Sequence, residues 1–104
     1  MTFSETDSTA TSPAATTRIK RQLAEQAIAN AAAGQWSDAA DTNRKLLEMG
    51  AEADAENRLA KALWEQGELG AAREHYQAAL ALDPTNRIAE RNIDRPLGRG
   101  KCGA

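Results

Sequence analysis

A chain of 104 residues carrying 13 Lys and Arg against 15 Asp and Glu holds one domain at most, and buries too little surface for a large enclosed catalytic cleft. The formal charge of -2 excludes the overall polycationic footprint of a nucleic-acid binder, and few aromatics among much Ala and Leu favour helix over sheet. The charge is segregated, however: residues 46–84 carry eight acids and three bases, residues 85–104 five bases and two acids.

The N-terminus MTFSETDSTATSPAATT has no basic start followed by an apolar run, so no secretory signal is expected there. No stretch approaches the roughly twenty apolar residues that span a bilayer, and the expected location is cytoplasmic. Cys102 is the single cysteine, which excludes an internal disulfide and a four-ligand zinc site within the chain. No cofactor or metal is expected.

Residues 1–16 are Ser, Thr, Ala and Pro with two acids, a composition that predicts a disordered tail. From Thr17 the spacing of Ile19, Leu23, Ala27 and Ala31, widened by Ile28, predicts a helix over about 17–33. Gly34 interrupts it. Trp36 opens a second helix carrying Ala39, Ala40, Leu46, Leu47 and Met49, with Ser37 or a nearby polar residue a candidate cap and Gly50 a candidate left-handed stop. A third, about 53–66, sets Leu59, Ala60, Leu63 and Trp64 on a broad face. After Gly67 a fourth runs from Leu69 through Ala72, Tyr76, Ala79 and Leu80 until Asp83-Pro84, where proline disfavours helical geometry in the residue before it. A short fifth helix, about 86–94, points Ile88, Ala89 and Ile93 inward, and residues 96–104 form a Gly-rich flexible tail.

Shifted by 33 residues, the chain matches itself: Gly34 meets Gly67, Trp36 meets Leu69, Ala39 meets Ala72, Leu47 meets Leu80 and Met49 meets Leu82. A further shift of 34 carries Leu59 onto Ile93 and Asn57-Arg58 onto Arg91-Asn92. The pattern is two helical hairpins, 17–49 and 53–83, plus the first helix of a third. Over 53–86, Leu59, Ala60 in place of the usual glycine, Leu63, Gly67, Ala72, Tyr76, Ala79 and Asp83-Pro84 resemble the tetratricopeptide repeat family. The resemblance extends over about 18–95. In its first unit Gln26, Asn30 and Asn43 replace large apolar or aromatic residues, and Ala51 replaces the closing proline.

The resemblance implies an all-α, right-handed stack of antiparallel hairpins over 17–95. Ala60, Ala72 and Ala79 are then spacers that let backbones approach. It also implies a concave surface, built mainly from the first helix of each unit, that holds a peptide or partner helix. On that surface it places Asn57, Lys61 and Trp64, with Arg91 and Arg95 on the matching face of the last helix. These five residues form the expected protein-binding site, suited to an acidic segment or a terminal carboxylate through charge-assisted hydrogen bonds; ordinary solvated charges are the plainer reading. Ala24, Ile28 and Ala31 of the first unit lie nearby and argue against a full charged clamp.

Trp36 and Tyr76 are expected to pack between helices. Trp64 is open between two roles, an aromatic anchor in the groove or a core residue, because it adjoins Leu63 and the two point about 100 degrees apart. Asn30 and Asn43 either face each other between the first two helices, satisfying one another or backbone groups, or are wet in a rotated hairpin. His75 has no Cys or second His beside it and is expected at the surface or partly buried. Gly67, Gly70 and Gly98-Arg99-Gly100 lack the Lys-Ser/Thr ending of a phosphate loop. Glu65, Glu68 and Glu74 have no partners that compose a catalytic site, so the chain is not expected to be an enzyme.

The leading expectation is a protein-binding adaptor. One alternative is a self-associating homo-oligomer that stacks through an uncapped end at Ile88, Ile93 and Leu97. A weaker one is nucleic-acid association through Arg95, Arg99 and Lys101 with Arg18, Lys20 and Arg21, which would be steeply salt-dependent.

Overall fold

The computed structural model describes residues 12–93. Within them the chain is all-α, with five helices and no strand: α1 (Pro13–Ala32), α2 (Trp36–Glu48), α3 (Ala53–Glu65), α4 (Leu69–Leu82) and α5 (Arg87–Ile93). The tail expected at 96–104, with Leu97, Arg99, Lys101 and Cys102, lies outside the described residues, as do Arg95 and residues 1–11 of the expected N-terminal tail.

The first helix starts at Pro13, four residues earlier than hydrophobic periodicity predicts. Ser12 caps it, its side chain accepting from the Ala15 N–H at 3.1 Å, and Pro13 fits the first helical position, where no N–H partner is required. Local cap chemistry extends the helix where there is nothing to bury.

The 33-residue repeat is written into the backbone at the turns. Gly34 and Gly67 have φ of 75° and 86°, the left-handed region that glycine enters at little cost. Gln35 N–H reaches back to Asn30 O at 2.8 Å, and Glu68 N–H to Leu63 O at 2.9 Å. Gly34 N–H bonds Ala31 O and Gly67 N–H bonds Trp64 O, both at 3.0 Å. This paired closure satisfies carbonyls that a helix end leaves orphaned. It recurs at equivalent residues, so each hairpin turns in the same way. Ser37 does not cap α2: Gln35 holds the cap position without a side-chain bond, and Ser37 lies inside the helix.

Consecutive helices pack on one another, and α1 also reaches α3. The central element is α3, which buries Ala55, Asn57, Leu59, Ala60, Ala62, Leu63 and Trp64. The same core cluster holds Ala39 and Ala40 of α2, Ala72, Tyr76 and Ala79 of α4, and Ala89 of α5. Ala60, Ala72 and Ala79 have no exposed surface, which fits their role as spacers. The apolar stripe expected on α1 is narrower than its spacing suggests. Ala27 is buried and Leu23 and Ala31 are half-buried, while Ile19 and Ile28 flank the stripe in solvent. On α5, Ala89 points inward as expected but Ile88 does not, being 52% exposed. No described helix is long and apolar enough to cross a membrane.

Candidate functional site

One face of the stack is a groove of about 480 Å³ to which all five helices contribute. Ala27 and Ala31 of α1 and Asn43 of α2 form one side. Asn57, Arg58 and Lys61 of α3 and Tyr76 of α4 lie in the middle, and Ile88, Arg91 and Asn92 of α5 close the other side. Helical spacing explains the grouping: Asn57 and Lys61 are four apart and Arg58 and Lys61 three apart, as are Ile88 with Asn92 and with Arg91. The described lining includes three cations, Arg58, Lys61 and Arg91, and no Asp or Glu.

The acids of α3 lie elsewhere. Glu56 pairs with His75 of α4, its Oε1 2.7 Å from Nδ1, which gives the histidine a structural partner. Glu65 bonds Lys61, Oε2 to Nζ, at 2.7 Å. Lys61 is further held 5.8 Å above the centre of the Trp36 ring, within cation–π range. Trp36 is half-buried and packs against the core.

Asn57 has a structural partner as well as a place in the groove wall. Its Nδ2 donates to Asn86 Oδ1 at 2.8 Å, and that same oxygen accepts from the Ala89 N–H at 2.9 Å, capping the start of α5. Because the capping atom must be an acceptor, Asn57 must present its NH₂, and its own Oδ1 is left buried without a partner in the described structure.

Three of the five expected binding residues therefore come together on the groove: Asn57, Lys61 and Arg91. Trp64 does not. It is 5% exposed and belongs to the core cluster with Leu63 and Tyr76, which decides between its two roles in favour of packing. Both faces of α3 around Leu63 are covered, one by α2 and one by α4, so neighbouring large residues can both be buried. Arg95 lies outside the described residues.

Further residues line the groove beyond those expected from the sequence. Tyr76 is buried yet lines it, and so does Arg58, the neighbour of Asn57. A signal was present: the 34-residue shift pairs Arg58 with Asn92, which also lines the groove.

Asn43 is buried and Asn30 half-buried, and the two do not bond each other. Asn30 Nδ2 donates to Gln35 Oε1 at 3.1 Å and its Oδ1 accepts from Thr42 Oγ1 at 3.4 Å. Asn43 Nδ2 donates to Ala39 O at 2.9 Å, while its Oδ1 accepts from Arg58 Nε at 3.2 Å.

Residues 53–86, the span of α3, α4 and the turn after them, match the family model of the tetratricopeptide repeat. This segment is similar to a tetratricopeptide repeat. The match covers the second hairpin, and the turn geometry at Gly34 shows that the first hairpin closes in the same manner. Comparison with curated proteins and with solved structures gave no match. Tetratricopeptide repeats are in general protein-interaction modules, and the matched segment contributes Asn57, Arg58, Lys61 and Tyr76 to the groove.

Proposed function

We propose that the domain is an adaptor that binds an acidic or carboxylate-bearing segment of another protein along this groove. The observation that carries the reading is the charge of the lining: Arg58, Lys61 and Arg91 face the cavity with no acid among the described lining residues, in a chain whose overall charge is negative. The Asn92 amide and apolar surface at Ala27, Ala31 and Ile88 complete a wall that offers hydrogen bonding and burial together. Lys61 and Arg91 come from successive repeat units, so a ligand touching both is read by the stack.

The test is fluorescence anisotropy with an eight-residue Glu-rich peptide and its Lys-substituted counterpart. The expected result is salt-sensitive binding of the acidic peptide alone, weakened when Lys61→Glu and Arg91→Glu are combined, with helicity unchanged. Equal binding of both peptides, or chemical-shift changes confined to the outer face, would overturn the reading.

A second reading, self-association, draws on the exposure of Leu82 and Ile88 at 46% and 52% on the last two helices. Sedimentation across a concentration series tests it: a growing mass that Ile88→Ser abolishes supports it, and a constant monomer mass removes it.

A further inference from the structure

The groove's cations are held in different ways, and the difference points to one of them as the main contact. Lys61 is already paired with Glu65 at 2.7 Å, so part of its charge is compensated within its own helix. Arg91 is exposed on the seven-residue α5. Arg58 is half-buried, and its Nε is tied to the oxygen of a side chain that is 1% exposed.

That side chain is Asn43, which stands where the following repeat has Tyr76, 33 residues on. The substitution replaces an aromatic ring with a short amide, and the amide is locked. Its NH₂ must donate to the Ala39 carbonyl, and its oxygen must accept from a guanidinium that can only donate. Asn43 therefore orients Arg58 without neutralising it, as an aspartate would. With Nε occupied, the two Nη groups remain, without a hydrogen-bond partner among the described residues; Asn43 and Arg58 both line the cavity. A guanidinium ordered in advance loses less rotamer freedom on binding than a free one, and its planar fork matches a carboxylate in a bidentate fashion.

We propose that Arg58 is the principal carboxylate-binding residue of this groove, with Asn43 as its positioning residue. The proposal rests on the acidic-ligand reading above and adds the residue and the junction, α2 against α3, at which the carboxylate sits.

The experiment follows the arginine side-chain Nε–H resonances of the full chain during titration with acetate and then with the Glu-rich peptide, prepared with a free and with an amidated C-terminus. Arg58 is expected to shift at lower ligand concentration than Arg73. Arg58→Gln should weaken peptide binding by about tenfold or more, the scale of one charge-assisted hydrogen-bonded pair. Arg58→Lys should recover little, because it keeps charge and loses the fork. Asn43→Asp should weaken binding comparably by occupying the guanidinium, and in combination with Arg58→Gln should add nothing.

Unchanged affinity in a folded Arg58→Gln protein, with affinity lost in the Lys61 and Arg91 charge reversals, would overturn this proposal and leave the adaptor reading standing. Failure of the wild-type chain to prefer the acidic peptide would instead overturn the adaptor reading, while the acetate titration still reports on Arg58: a shift no larger than that of Arg73 would reject it as an anion site. Equal loss of affinity on amidating the peptide assigns the bound group as the terminal carboxylate, and no loss assigns it as a glutamate side chain. Circular dichroism separates unfolding from lost binding, and Arg58→Gln decides if the Asn43 variant fails to fold.

Discussion

Asn57 and Asn86, 29 residues apart, share one hydrogen bond of 2.8 Å that joins the groove wall to the cap of α5. The bond couples the position of Ile88, Arg91 and Asn92 to α3. Asn86→Ala removes the cap and strands the Asn57 amide, and is expected to cost about 1–3 kcal/mol. Asn86→Asp keeps the acceptor for both donors and should remain close to the parent in a urea titration. Equal midpoints for the parent and Asn86→Ala would show that α5 does not depend on this link.

Trp64→Ala should lower stability by about 3–5 kcal/mol, the range for deleting a buried aromatic side chain. Trp64 is 5% exposed, so peptide affinity measured on the folded fraction should stay near that of the parent. A stable variant that lost peptide affinity would return Trp64 to the groove.

Ala72 has no exposed surface and sits against the α3 core. Its replacement by Leu should cost about 1–3 kcal/mol through overpacking. An unchanged denaturation midpoint would mean that α4 can move away from α3 without loss, contrary to the close approach described here.

Two glycines three residues apart should respond in opposite directions. Gly67 has φ of 86°, and although nothing lies within 4 Å of an added Cβ, Ala there is expected to cost about 1–2 kcal/mol from backbone strain. Gly70 is helical and equally uncrowded, so Ala should stabilise by about 0.5–1 kcal/mol. Thermal melts of the two variants that shifted in the same direction would contradict the turn geometry.

Glu65→Gln should change stability by less than about 1 kcal/mol, since Lys61 and Glu65 form a partly exposed pair with side chains 50% and 30% accessible. The released Lys61 should raise affinity for the Glu-rich peptide. A drop in affinity would show that Glu65 holds Lys61 in its binding position and does not compete for it.

The sequence by itself determined the helices, the 33-residue repeat and the turns. Spacing of Leu59, Leu63, Ala72 and Tyr76 fixes a buried face, and glycine at 34 and 67 fixes where a left-handed closure is cheap. These are local properties, set within a few residues along the chain. It also brought Asn57 and Lys61 to one face, because residues four apart on a helix must neighbour each other. Tertiary structure alone decided which neighbour covers each face. Trp64 is core because α3 is packed on two sides, which no periodicity within α3 can reveal. Ile88 is exposed because the described stack offers it no covering helix. The partnership of Asn43 with Arg58 joins residues 15 apart on different helices, and it exists because an amide occupies an aromatic position beside an arginine, a complementarity that arises only when α2 and α3 are brought together.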